Sequence, residues 1–253
     1  MLPAALGRIM SISLSADPFD LQGAAVLVTG GTSGIGLAIA QAFAAQGAEV
    51  TVTGATEAEA QAVPQGLTAR ALDLRDRAAT AQHMATLPRL NHLINAAGII
   101  RRGAEHDPEV FDQVIDINLS GTMRMCTLAR PLLAASRGSI INMASMLSFF
   151  GGGLVPGYAA SKGGVAQLTK SLAIAYAADG IRVNALAPGW IATPLTIGLR
   201  DDPARSATIL ARTPMARWGT PEDVAGPALF LASPLARFVT GAVLAVDGGY
   251  MVT

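Results

Sequence analysis

Cysteine is nearly missing from this chain of 253 residues, where Cys126 stands alone. A lone cysteine excludes an intrachain disulfide framework and fits a reducing, cytoplasmic compartment. Histidine is scarce too. His83, His92 and His106 do not have the spacing of a zinc site, so no metal is expected. Charged residues make up only 14%, and 18 Lys+Arg balance 18 Asp+Glu. No global basic field is available to hold nucleic acid or an anionic membrane surface, and neither is expected as a partner. No run reaches the roughly 18 uninterrupted apolar residues of a membrane span. The first 16 residues lack a basic segment ahead of their apolar part, which Arg8 interrupts, so they do not read as a signal peptide. Residues 1–20 are expected to be an N-terminal extension, with Met10 as an alternative start.

Hydrophobic residues, by contrast, are 51% of the chain, enough for a large core. Short apolar or β-branched runs at 24–28, 49–53, 69–72, 92–95, 139–143, 182–186 and 242–246 read as seven strands. Helical spacing fills the intervals, as at Ile35, Ile39, Ala42 and Phe43. Strands alternating with helices predict right-handed βαβ units and a parallel sheet covered on both faces. No linker or repeat follows residue 20, so 21–253 is one α/β domain.

The first strand runs into Thr29-Gly30-Gly31-Thr32-Ser33-Gly34-Ile35-Gly36. A strand, a glycine turn and a helix N-terminus together present backbone N–H groups and a positive dipole end to a pyrophosphate. The turn therefore points to a dinucleotide, with a plain tight turn as the alternative. An acid at the end of the second strand would hold a ribose 2′-OH, and an arginine there would take a 2′-phosphate. Thr53-Gly54-Ala55-Thr56 offers neither, leaving Thr56 or Glu57 for the ribose. Without a phosphate clamp, NAD is favoured over NADP. Asp73 and Leu74, after the third strand, suit contacts to the adenine ring.

Tyr158 and Lys162 lie four positions apart, on one face of a predicted helix. A cation ~4 Å from a phenol, at an effective dielectric near 20, favours phenolate by roughly 4 kcal/mol, about three pKa units, before desolvation opposes it. That would suit Tyr158 to proton transfer near neutrality. Ser145 ends a strand, where open α/β sheets bind ligands, and its hydroxyl can donate to or accept from a substrate oxygen. Asn118 falls on a helix-like stretch. Its amide either holds a water that relays protons to Lys162 or serves as a cap.

Together, TGGTSGIG, Asn95-Ala96-Ala97-Gly98, Asn118, Ser145, Tyr158 with Lys162, and Pro188-Gly189 resemble the short-chain dehydrogenase/reductase family over about residues 20–253. The resemblance implies a single-domain, three-layer Rossmann-like fold with a seven-stranded parallel sheet. It also implies reversible hydride transfer between a nicotinamide and an alcohol/ketone pair. It makes Tyr158 the general acid/base and gives Lys162 the ribose hydroxyls and the tuning of Tyr158. Ser145 orients the substrate oxygen and Asn118 supports a proton relay. Gly30, Thr32, Ser33, Gly34, Ile35, Gly36, Asn95, Ala96, Ala97, Gly98, Pro188 and Gly189 fall to the cofactor, with Thr193 on the carboxamide and Ile191 beside it. Where the family usually has Asn-Asn-Ala-Gly, Ala96 removes one amide side chain.

A narrower resemblance, through 97–102, 144–152, 155–162 and 217–233, is to the 2-deoxy-D-gluconate 3-dehydrogenase group. It implies a small polyhydroxylated acid or related ketone as substrate. Arg101 or Arg102 then pairs with a carboxylate, against the alternative of solvated arginines. Leu147, Phe149 and Phe150 either wall the pocket or pack in the core. Residues 193–215, punctuated by Pro194, Pro203 and Pro214, read as a lid or as a surface helical hairpin. A homotetramer is the assembly implied. A reductase of 3-oxoacyl thioesters and a non-enzymatic dinucleotide sensor are the competing readings.

Overall fold

The structure is a computed structural model that describes residues 19–253; the extension expected at 1–20 lies, but for its last two residues, outside the described residues. Among the described residues there are seven strands: β1 (Ala25–Thr29), β2 (Glu49–Gly54), β3 (Thr68–Ala71), β4 (His92–Asn95), β5 (Ser139–Met143), β6 (Arg182–Pro188) and β7 (Val243–Val246). All pair in parallel, in the order β3-β2-β1-β4-β5-β6-β7. The expected single-domain Rossmann-like sheet is thus observed.

Alternate residues of each strand enter different layers. Val26 and Val28 of β1 pack with Ile39 and Phe43 of α1 (Gly34–Ala45) and with Val224 and Leu231 of α9 (Pro221–Ala232). Leu27, between them, faces the opposite layer. There it joins Met125 and Leu133 of α5 (Thr122–Ser136), Leu172 of α6 (Pro156–Tyr176) and Met84 of α3 (Arg77–Thr86). Each fully buried Leu, Ile or Phe contributes about 1.5–3 kcal/mol, so the two layers clamp the sheet from both sides.

β1 has β2 on one side and β4 on the other, so the chain leaves it in opposite directions for its two halves. That reversal opens a crevice at the carboxyl ends of the strands. The crevice receives the glycine turn after β1, the loops after β4 and β5, and the segment after β6. Four shorter helices complete the layers: α2 (Glu57–Gln61), α4 (Pro108–Ile115) and, after β6, the pair α7 (Ile197–Arg200) and α8 (Pro203–Ala211). Between α4 and α5 the chain winds as one wide π turn, Asp116–Gly121, where the sequence suggested ordinary helix.

Candidate active site

A cleft of about 890 Å³ runs along the carboxyl edge of the sheet. At one end lies the glycine turn. Gly30 has φ +65, and a Cβ there would stand 2.6 Å from the Ala97 backbone. A Cβ on Gly36 would stand 2.2 Å from the Gly30 carbonyl oxygen, so α1 can seat this close to β1 only through glycine. Ser33 is the N-cap of α1, yet its side chain makes no capping bond and the first turn carries no acid. The helix N-terminus thus opens onto the cleft with its N–H groups and dipole uncompensated, as an anionic diphosphate requires. Thr32, Ser33, Gly34 and Ile35 line that end, with Ala96, Ala97 and Gly98 opposite. The residues present therefore fit a dinucleotide.

Asp73 and Leu74, after β3, also line the cleft. Arg75 bonds Asp73 at 2.6 Å and holds its carboxyl below the usual range. Sequence reasoning missed Glu59 there. Its Oε2 accepts from the Ala55 N–H at 2.7 Å, and it stands where a Cβ on Gly54 would meet it and Thr32 at 2.8 Å. A signal existed: Thr56-Glu57-Ala58-Glu59 has the Thr-x-x-Glu spacing of a capping box, and Thr56 does cap α2 by accepting from Glu59 N. Neither Thr56 nor Glu57 lines the cleft; Glu59 does.

Asn95 is a correction. Its side chain turns under the sheet, donating to Asn142 Oδ1 at 2.9 Å and to the buried Cys126 Sγ at 3.3 Å. The strand's two-residue alternation sends it to the α5 side, away from the cleft that Ala96 enters. Pro188, Gly189, Ile191 and Thr193 do line the cleft. Thr193 approaches Gly34 so closely that a Cβ there would meet it at 3.5 Å, bringing the segment after β6 over the start of α1.

Beyond this region, Ser145, Tyr158 and Lys162 converge. α6 begins with Pro156 at its first turn, where a missing N–H does no harm and φ is already helical. Tyr158 and Lys162 share its inner face. Lys162 Nζ, 4% exposed, donates to the Met143 carbonyl at 2.6 Å and lies 5.5 Å from the Tyr158 ring centre. Burial pulls its pKa from 10.5 down to about 8. Ser145 accepts from Leu147 N at 3.2 Å and hydrogen-bonds the Tyr158 phenol.

The phenol itself corrects the electrostatic expectation. Burial raises the Tyr158 pKa above 10; Ser145 lowers it and the Glu105 carboxylate raises it further. Lys162 is held on the Met143 carbonyl and does not override desolvation, the opposing effect left out of the Coulomb figure.

Asn118 is buried in the π turn, with its amide fully engaged. Oδ1 accepts from Ile99 N at 2.8 Å, while Nδ2 donates to Ile99 O at 2.9 Å and Ser161 Oγ at 3.1 Å. The amide thus ties the loop after β4 to α6 rather than standing free to hold a water. Asn118 Oδ1 and Lys162 Nζ both border Gly98, at 3.3 and 3.6 Å from where its Cβ would be.

At the far end, Arg102 and Leu147 line the cleft, but Phe149 and Phe150 do not. Phe149 is 57% exposed, and Phe150 packs by Tyr250 with ring centres 6.2 Å apart. The short turn Met146–Ser148, pinned by Ser148 Oγ donating to Lys162 O at 2.6 Å, carries Leu147 inward and the next residues outward. Residues Pro194, Leu195, Thr196 and Arg205, from the segment expected as a lid, wall the mouth. Arg205 was not singled out in the sequence.

One consequence is measurable. Unfolded Lys162 keeps its proton to about pH 10.5, whereas the folded group loses it near 8, so between these values unfolding takes up a proton and stability rises with pH. Relative to Lys162→Met, the cofactor-free protein should gain on the order of 3 kcal/mol from pH 8 to 10.5. Denaturant titrations that stay parallel across that range would contradict the assignment.

Comparison with known proteins completes the picture. Residues 30–251 match the family described as Enoyl-(Acyl carrier protein) reductase. A 2-dehydro-3-deoxy-D-gluconate 5-dehydrogenase of Bacillus subtilis is 43% identical over 93% of this chain and 97% of its own. A galactitol 2-dehydrogenase (L-tagatose-forming) of Cereibacter sphaeroides is 42% identical over 92% of this chain and 97% of its own. A crystal structure from Agrobacterium tumefaciens, proposed to be a 2-deoxy-D-gluconate 3-dehydrogenase and holding NADP, superposes with a TM-score of 0.87. It is 42% identical and covers 94% of this chain and 100% of its own. The chain belongs to the short-chain dehydrogenase/reductase family, as nicotinamide-dependent oxidoreductases of CH–OH groups.

Proposed function

We propose that the protein oxidises a secondary alcohol of a small polyhydroxylated acid to the ketone with NAD, reversibly, with Tyr158 as general acid/base. The observation that carries this reading is the meeting of Ser145, Tyr158 and Lys162 at one end of a cleft whose other end fits a dinucleotide. A nicotinamide held in the cleft would supply the hydride acceptor for the alcohol carbon. Ser145 Oγ and the Tyr158 phenolate hold the substrate hydroxyl from two sides, and the phenolate takes its proton, becoming the phenol, as the C–O bond becomes a carbonyl. Lys162 lies deeper, where its remaining N–H bonds serve the cofactor ribose.

The substrate class rests on charge and on relatives. Arg102 and Arg205 stand at the substrate end and Glu59 and Asp73 at the adenosine end, so the cleft favours an acid at its mouth. The Bacillus and Cereibacter relatives, by their names, act on a sugar acid and a polyol. The same asymmetry supports NAD. Among the described residues the cleft wall has no cation at its Glu59 and Asp73 end, since Arg70 bonds Ala69 O and Arg75 bonds Asp73. Glu59 would accept from a ribose 2′-OH and repel a 2′-phosphate. Exposed Met123 on α5, Ile174 on α6 and Phe238 before β7 supply apolar faces for a homotetramer. The 193–215 segment is placed to act as the lid.

Three variants test these assignments. Tyr158→Phe should lower kcat by about 10²–10⁴-fold with NAD affinity nearly unchanged, because only the transferable proton is lost; most of the wild-type kcat remaining would remove Tyr158 from the chemistry. Glu59→Gln should reduce kcat/KM for NAD by about tenfold or more, the worth of a charge-assisted hydrogen bond, and improve it for NADP. An unchanged NAD/NADP ratio in steady-state kinetics would refute that role. In a spectrophotometric screen of sugar acids and polyols, Arg102→Ala should raise KM for the acids about tenfold and leave the polyols alone; equal effects on both would dismiss the carboxylate contact.

A further inference from the structure

We infer that Glu105 is a positioning residue for this reaction: its buried carboxylate fastens the loop carrying Arg101 and Arg102 to the first turn of the helix carrying Tyr158, and its negative charge acts on the Tyr158 hydroxyl. The inference rests on the reading of Tyr158 as acid/base.

Glu105 is 1% exposed and has no cationic partner among the described residues. Its two oxygens divide their work. Oε1 accepts from Arg101 N at 2.7 Å, and Oε2 accepts from Tyr158 N at 2.7 Å. Tyr158 is the third residue of α6, whose N-cap, Val155, offers no capping side chain. Glu105 therefore satisfies an orphan N–H of α6 from 53 positions away, and it does so at the positive end of the helix dipole. Gly157 makes room, for a Cβ there would lie 3.3 Å from Oε2 and 3.1 Å from the Phe111 ring.

A helix cap could be supplied locally by a serine or aspartate at position 155. A distant carboxylate adds what a local cap cannot, a two-point strap between substrate loop and catalytic helix. It also places an anion without a cationic partner among the described residues beside Tyr158, and that anion raises the phenol further. The other charged or titratable groups around the pair are accounted for. Lys162 on α6 bonds Met143 O, and Arg101 turns its guanidinium to Ile100 O. His106 meets Gly153 O, while Arg102, Asp107, Glu109 and Asp112 are exposed. Ser145 faces Tyr158 from the end of β5.

The test is the pH profile of kcat/KM for alcohol oxidation, in which Tyr158 must be deprotonated. Glu105→Gln removes the anion, so phenolate forms more readily. The acid limb should move down by about half a pH unit or more, with KM raised severalfold as the Arg102 loop is released. Glu105→Asp keeps the charge but cannot span both N–H groups; its limb should stay at the wild-type pH while KM still rises. An unmoved limb in Glu105→Gln, or an unchanged KM in Glu105→Asp, overturns the proposal. Should Glu105→Gln not fold, hydrogen exchange of the wild-type protein decides. The Tyr158 amide should be strongly protected despite lying in a first turn, and free-end exchange there overturns the strap. Loss of turnover in Tyr158→Phe alongside an unmoved Glu105→Gln limb refutes only the role of Glu105. Survival of turnover in Tyr158→Phe refutes the acid/base reading itself.

Discussion

The seat of the first two turns of α6 governs the rest of the site. Four bonds from four directions fix it: Lys162 Nζ to the Met143 carbonyl, Ser148 Oγ to the Lys162 carbonyl, Asn118 Nδ2 to Ser161 Oγ, and Tyr158 N–H to Glu105. The first two lock α6 to the end of β5, and the others tie it to the π turn and to the loop after β4. An ammonium is expensive to bury, and burial accordingly pulls the Lys162 pKa down to about 8. The fold tolerates it because a single helix face then presents both the phenol and the cation to one crevice.

Charge along the crevice is distributed in the same spirit. The chain as a whole is neutral, with 18 cations and 18 anions, yet the cleft is not. Glu59 and Asp73 lie toward one end of it, while Lys162, Arg102 and Arg205 lie toward the other. The uncapped N-terminus of α1 stands between them with no acid in its first turn. Positive potential therefore gathers at the α1 terminus and at the Arg102 and Arg205 end, and negative potential at the Glu59 and Asp73 end. Net charge could not have revealed this, because the opposing groups cancel in the sum and separate only in space.

Much of the architecture was legible because a parallel sheet buried on both faces leaves continuous apolar strands in the sequence. The strands at 92–95 and 139–143 coincide with β4 and β5, and the glycine turn and the Tyr158/Lys162 pair announce themselves by local spacing alone. What escaped depended on direction or on distance. Asn95 stands in the right strand but points to the wrong layer. Phe149 and Phe150 follow a turn that carries Met146 and Leu147 inward but not the two phenylalanines. Glu105 meets its partner across 53 positions with no motif around it. Glu59 alone was recoverable, from the capping spacing that begins at Thr56.

The π turn shows how an irregularity invisible to periodicity can be structurally required. In an unbroken helix through 116–121, Asn118 would keep helical register with α4 and α5, whereas the widened turn sets its amide against Ile99 and Ser161. The turn is itself braced. Arg124 of α5 bonds both Asp116 and the Leu74 carbonyl, and Thr122 Oγ1 donates to the Asn118 carbonyl at 2.8 Å. A Cβ on Gly121 would crowd Asp116 O and Leu74, each at 3.3 Å, so the glycine allows the close approach. Through Leu74 the cleft wall after β3, and through Asn118 the helix α6, therefore lean on one six-residue segment. A helical propensity scale, which rates asparagine as merely a modest helix former, describes the wrong variable: the side chain's two-ended hydrogen bonding determines why it stands there.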